Sequence, residues 1–178
     1  MMIQIAGLFI LVLLSVYWDI KVCKIKNFLT YPAIILGLLV NICLYGIMGL
    51  KDSIEAILIP AIFLFAFFAL QMLGAGDIKL FCAIGAIMGM KFELSCLLYS
   101  FLFGGVMAVL IIIKRGNALK RFRYLYDYIK MTFIMLKIEK YQEYKEDRSG
   151  LFRFSFAILG GSVIAYLDMF IFKFGIWS

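Results

Sequence analysis

The chain has 178 residues, of which 65% are hydrophobic, with 18 Phe and only 2 Pro. That apolar share exceeds what a soluble domain carries and lacks the polarity of a disordered one, so it places the chain in a membrane. The net charge of +7 does not call for nucleic acid, because in a membrane protein excess Lys and Arg marks cytoplasmic loops and anionic lipid headgroups.

Apolar stretches of about 13 to 21 residues without period-two alternation predict helices rather than barrel strands. The expected fold is all-α: a single polytopic domain over 1–178 with six transmembrane helices and a cytoplasmic amphipathic helix. The N-terminus, "MMIQIAGLFILVLLSVYWDIK", lacks the basic start and small-residue cleavage site of a secretory signal and reads as a retained first helix. The spans run Met2 to Trp18, Phe28 to Leu50, Ile54 to Leu73, Ile78 to Met90, Leu94 to Ile113 and Phe154 to Phe172. With Met1 outside, the inner segments hold fifteen Lys or Arg and the outer ones only Lys51, Lys91 and Lys173. This asymmetry orients the chain. Between the fifth and sixth spans, 114–153 places Leu119, Phe122, Tyr126, Ile129, Phe133 and Leu136 three or four residues apart. Basic residues lie between them, as in an amphipathic helix on the cytoplasmic surface.

Two acids stand at matching places. Asp19 closes the first span and Asp77 opens the fourth, with two complete spans between them. An even number of crossings returns the chain to the same face, so the carboxyls can meet. The fourth span, at about 1.5 Å per residue, covers roughly 20 Å of a core about 30 Å thick, which sets Asp77 below the cytoplasmic surface. An acid at that depth suggests function. Two carboxyls in a poorly hydrated site do not readily both ionise, so one keeps a proton while the other accepts one from water. Such a pair can hydrolyse a peptide bond without metal or covalent intermediate. Gly74 and Gly76, just before Asp77, offer unusual backbone geometry and close approach. Asp77 then lies at a helix N-terminus, where the dipole favours negative charge. Lys79 supports that charge, binds lipid phosphate, or snorkels to the interface.

At these residues the sequence resembles the prepilin peptidase family of intramembrane aspartic proteases. "GAGDIKL" matches its G-x-G-D-x-K-L at every defined position, and "DIKVCKIKN", Asp19 to Asn27, is similar to its first-aspartate signature with Lys26 in place of proline. "FRFSFAILGG", Phe152 to Gly161, resembles its final-helix start without the usual proline. The resemblance reaches nearly the whole chain and implies Asp19 and Asp77 as the catalytic pair. Asn27 is a motif position whose own character is that of a polar cap on the second helix, the role expected of it. Also implied are a pilin-like precursor as substrate, with a short basic leader ending in glycine, and location in the cytoplasmic membrane. The methyltransferase domain of the large members has no counterpart here, so the chain is similar to the short form.

The remaining features suit packing. Cys23, Cys43, Cys82 and Cys96 form no C-x-x-C pair, and with no histidine present they offer no zinc or haem ligand set. No cofactor is expected. Asp168 lies about 21 Å along the last span, away from the pair, and suits a structural hydrogen bond or an outer turn. Gly85 and Gly89, with Gly104, Gly105, Gly160 and Gly161, suit close helix contacts. Phe63, Phe65, Phe67 and Phe68 suit lipid or packing. The competing readings are a small proton-coupled transporter or relay, which needs acids spread along a path, and a non-catalytic membrane scaffold, which leaves both aspartates dispensable.

Overall fold

A computed structural model describes residues 2–22, 24–70, 73–114 and 154–172. Those residues are helical throughout, apart from short connections. The helices are α1 (Met2–Val22), α2 (Asn27–Ala69), α3 (Ala75–Met88), α4 (Met90–Lys114) and α5 (Phe154–Leu167), the last running into a π-helical turn, Asp168–Phe172. Three of them are long and apolar enough to cross a membrane: α1, α2 and the Met90–Ile111 part of α4. The predicted amphipathic helix at 114–153 lies outside the described residues. Among the described residues, those up to 104 and those from 154 onward belong to one compact unit, and 105–114, the end of α4, belong to another.

The second and third predicted spans are joined as α2, and the break comes earlier than the polar Lys51 and Asp52 suggested. It falls at Gly46, whose φ of 64° and ψ of −146° interrupt the helix. A side chain is disfavoured at that φ, which is why glycine occupies it. The chain doubles back there: a Cβ on Gly49 would lie 2.6 Å from the Asn41 carbonyl oxygen. Both arms then pack on α3. Gly37 of the first arm abuts the Ala86 backbone at 2.7 Å, and Gly85 of α3 abuts the Ala56 carbonyl of the second at 2.5 Å, each measured from a built Cβ.

Helix α3 is the centre of this unit. Every residue from Leu80 to Ile87 is buried, as expected of a helix that is apolar on all sides. Leu8, Leu11 and Val12 of α1, Leu64 of α2, Phe92 and Cys96 of α4, and Ile158 of α5 complete the core. An aromatic chain runs through the unit: Phe67 to Phe101 at 5.5 Å, Phe101 to Phe154 at 5.6 Å and Phe154 to Phe81 at 6.4 Å between ring centroids. Phe63, Phe65 and Phe68 face outward. Cys82 and Cys96 are buried free thiols, while Cys43 is exposed.

Polar groups pin the end of α3 farther from Asp77. Gln4 Nε2 donates to Asn41 Oδ1 at 3.0 Å and to the Ile87 carbonyl at 3.2 Å, while Asn41 Nδ2 donates to the Ala86 carbonyl at 2.8 Å. Gly89, at φ 83°, ends the helix, and Asp52 then accepts the Met90 N–H at 3.3 Å, serving one of α4's free first-turn donors. Replacing Asn41 by Leu removes the buried donors that tie α2 to α3. We expect a loss of about 1–2 kcal/mol, read as a lower melting temperature in detergent micelles.

Asp168 is hydrogen-bonded by the Tyr99 hydroxyl at 3.0 Å, the structural role expected of it. Gly104 packs against Phe154, Gly160 against Phe103 and Gly161 against Ser100. Gly105 departs from that pattern: it is exposed, and a Cβ there would meet nothing within 4 Å. Glu93 escaped the sequence reading, which left it in a loop before Leu94. It lies in the first turn of α4, fully buried, and neither carboxylate oxygen has a hydrogen-bond partner among the described residues.

Candidate active site

Asp19 sits in the last turn of α1 and Asp77 in the first turn of α3, both half-buried. The carboxylate of Asp77 feels the charge of Asp19, so the two acids separated by two spans in the sequence are neighbours in the fold. The contact that joins their backbones is local. A Cβ on Gly76 would lie 3.1 Å from Ile25 Cβ and 3.5 Å from Ile25 N, so the first turn of α3 rests directly on the linker that follows Asp19.

The two glycines serve by space. Gly74 is the N-cap of α3 with φ −78° and ψ 145°, ordinary extended backbone open to any residue, so the expected need for unusual geometry does not hold there. The Asp77 carboxylate instead folds back over it: Oδ2 would stand 3.0 Å from a Cβ at position 74. An acid at the third helical position reaching back to the cap residue is the geometry of a capping box. The Asp77 and Ile78 N–H groups donate to the Gly74 carbonyl at 3.1 and 3.4 Å, completing the turn.

Asn27 and Lys79 meet one another rather than the acids. Asn27 opens α2, but the cap position is Lys26 and no side chain caps the helix. The expected capping role of Asn27 is therefore replaced: its Oδ1 accepts from Lys79 Nζ at 2.8 Å. The same ammonium lies 5.3 Å from the Tyr31 ring centroid, so Lys79 is held sideways between α3 and α2. Two nearby lysines are parked similarly, Lys26 of the linker over Trp18 at 3.7 Å and Lys21 of the last turn of α1 over Tyr17 at 4.6 Å. Sequence reasoning missed Ser155, at the start of α5, whose Oγ donates to Asp19 Oδ2 at 2.5 Å. The signal was present, since the predicted sixth span begins on the face where the predicted first one ends. Among the described residues no cluster of three or more Cys, Asp or Glu is arranged to hold a metal.

Two interacting carboxyls at the end of a helical bundle, Asp19 approached by the Ser155 hydroxyl and Asp77 by the backbone of Gly74, make an arrangement that can hold and polarise a water. The model of the type IV leader peptidase family matches residues 6–109, more than half of the chain. The chain belongs to the type IV leader peptidase family. Comparison with curated proteins returns no match, and neither does comparison with solved structures. The type IV leader peptidase match spans Asp19, Asn27, Gly74, Gly76, Asp77 and Lys79 and stops short of α5. With its long apolar helices, this peptidase is an integral membrane protein. Gly76→Ala tests the linker contact. Alanine favours the helix by about 1 kcal/mol, yet its methyl displaces Ile25. The expected outcome is an unchanged or higher melting temperature with peptide-bond cleavage about tenfold slower, measured as kcat/KM.

Proposed function

We propose that the chain is an intramembrane aspartic endopeptidase that removes the short basic leader from type IV pilin-like precursors, with Asp19 and Asp77 as the acid/base pair. The observation that carries this reading is the charge interaction of these two carboxyls, from α1 and α3, within the segment matched to the leader peptidases.

The chemistry follows from the pair. An ionised carboxylate takes a proton from a water as its oxygen attacks the scissile carbonyl, while the protonated partner donates to the carbonyl oxygen. As the C–N bond of the tetrahedral intermediate breaks, the protonated carboxyl gives its proton to the leaving amine and a hydroxyl of the diol gives its own to the other carboxylate, which returns the pair to one shared proton. The distribution of Lys and Arg supports six crossings with the N-terminus outside, the site near the cytoplasmic face, and the cytoplasmic membrane as location. A precursor's basic leader lies on that side and its apolar helix in the bilayer. A relay needs further acids leading away from the site. Asp168 is instead engaged by Tyr99, about 20 Å of helix rise from Ser155, and Glu93, buried in the first turn of α4, has no hydrogen-bond partner among the described residues to link it to the pair.

The full chain, reconstituted in liposomes with a pilin-like precursor from the same genome, tests the reading. Leader removal is followed by gel shift and the new N-terminus by mass. Cleavage after the leader glycine is expected. An uncut precursor together with proton flux across the same liposomes would favour the transporter.

A further inference from the structure

The two aspartates are served unequally by their own helices. Asp77 lies in the first turn of α3, where free N–H groups and the positive end of the helix dipole favour a carboxylate. Asp19 lies in the last turn of α1, where carbonyls and the negative end oppose one. Its compensation comes from elsewhere in the chain, from the N-terminal turn of α5 and the hydroxyl of Ser155.

That hydroxyl is committed by its position. Ser15 and Ser95 donate to carbonyls four residues back, Leu11 and Lys91, at 2.8 and 3.3 Å, and Ser162 donates to Leu159 three residues back at 2.8 Å. Ser155 is the second residue of α5 and has no earlier turn of its own helix to receive its proton. It is fully buried, so bulk water does not compete. Its height along the bundle is fixed from both sides. Phe154 packs on Phe81, one turn beyond Asp77 in α3, and on Phe101 of α4. Gly161 sits so close to Ser100 that a Cβ there would be 2.5 Å from its backbone nitrogen.

We propose that Ser155 is a positioning residue of the leader peptidase, its hydroxyl fixing the orientation of the Asp19 carboxylate and making the first turn of α5 part of the site. This rests on the aspartic endopeptidase reading above. It extends the functional chain beyond the matched segment, which ends at 109, to a helix whose contribution that match does not cover.

The test is steady-state leader removal by the full reconstituted chain, comparing wild type with Ser155→Ala, Ser155→Thr and Ser155→Cys, and recording each melting temperature. Losing a hydrogen bond to a charged group is expected to lower kcat in Ser155→Ala about tenfold, with KM within about twofold. Thr keeps the hydroxyl and is expected to recover most of the loss. Cys, close in size with a weak S–H donor, is expected to fall between Ala and Ser, and supplies the comparison should the Ala protein not accumulate. A wild-type kcat in Ser155→Ala overturns the proposal, as does a change confined to KM or a Thr or Cys variant no faster than Ala. Asp19→Asn and Asp77→Asn in the same assay separate the two claims. If they still cleave, the aspartic reading itself fails; if they are inactive while Ser155→Ala is wild type, only the role of Ser155 falls.

Discussion

Leader removal is expected to stop in Asp19→Asn and in Asp77→Asn, each with kcat lower by about a thousandfold or more. Asparagine keeps the shape of the side chain but neither accepts the water's proton nor delivers one to the carbonyl oxygen, so either change removes half of a two-proton device. The fold is expected to survive both. Each substitution takes away one of two carboxyls that oppose one another, and in Asp19→Asn the amide oxygen still accepts from Ser155. Melting temperatures in micelles are therefore expected to hold or rise, the usual relation between a strained site and stability. Rate and melting curve must be read together. Inactive protein with intact melting supports the pair, whereas cleavage surviving either change sinks it.

The pairing of the aspartates was legible because it depends on parity and motif, which survive without coordinates. Asp19 and Asp77 stand at ends of predicted spans with two further predicted spans between them, and the fold brings their charges into interaction. The reasons for the motif residues were less legible. Gly74 and Gly76 were read as backbone-permissive, yet what they provide is room, one for the Asp77 carboxylate and one for Ile25. The second demand comes from a residue 51 positions away, and no local pattern announces it. Asn27 looked like a cap from its place at a helix start, but Lys79 claims its oxygen from another helix. Hydropathy placed the turn in α2 at the polar Lys51 and Asp52, whereas the backbone breaks at Gly46, whose combination of φ and ψ favours glycine. Glu93 marked a loop by the same logic and is buried in α4. Polarity indicates where a chain is expected to leave the apolar core; partners across the bundle decide where it does.

Gly85→Val is expected to cost about 3 kcal/mol or more and to remove most folded protein from the membrane. The position has no slack. A Cβ there would stand 2.5 Å from the Ala56 carbonyl oxygen, 2.9 Å from its carbon and 3.1 Å from its Cβ, and backbone atoms of a packed helix cannot rotate away as a side-chain tip does. One turn earlier, Cys82 Sγ approaches the Ile57 carbonyl at 3.7 Å, so α3 and the second arm of α2 lie nearly backbone to backbone over this stretch. Valine must separate them. Because α3 carries Asp77 in its first turn, the fraction that still folds is expected to cleave poorly as well. Gly105→Ala supplies the contrast: with nothing within 4 Å of its Cβ, it is expected to be neutral or stabilising by up to about 1 kcal/mol. Thermal unfolding of both variants decides between glycine as a packing device and glycine as general helix softening. Equal losses at 85 and 105 would point to softening; a loss confined to 85 would show that the glycine serves the close approach of α2 and α3.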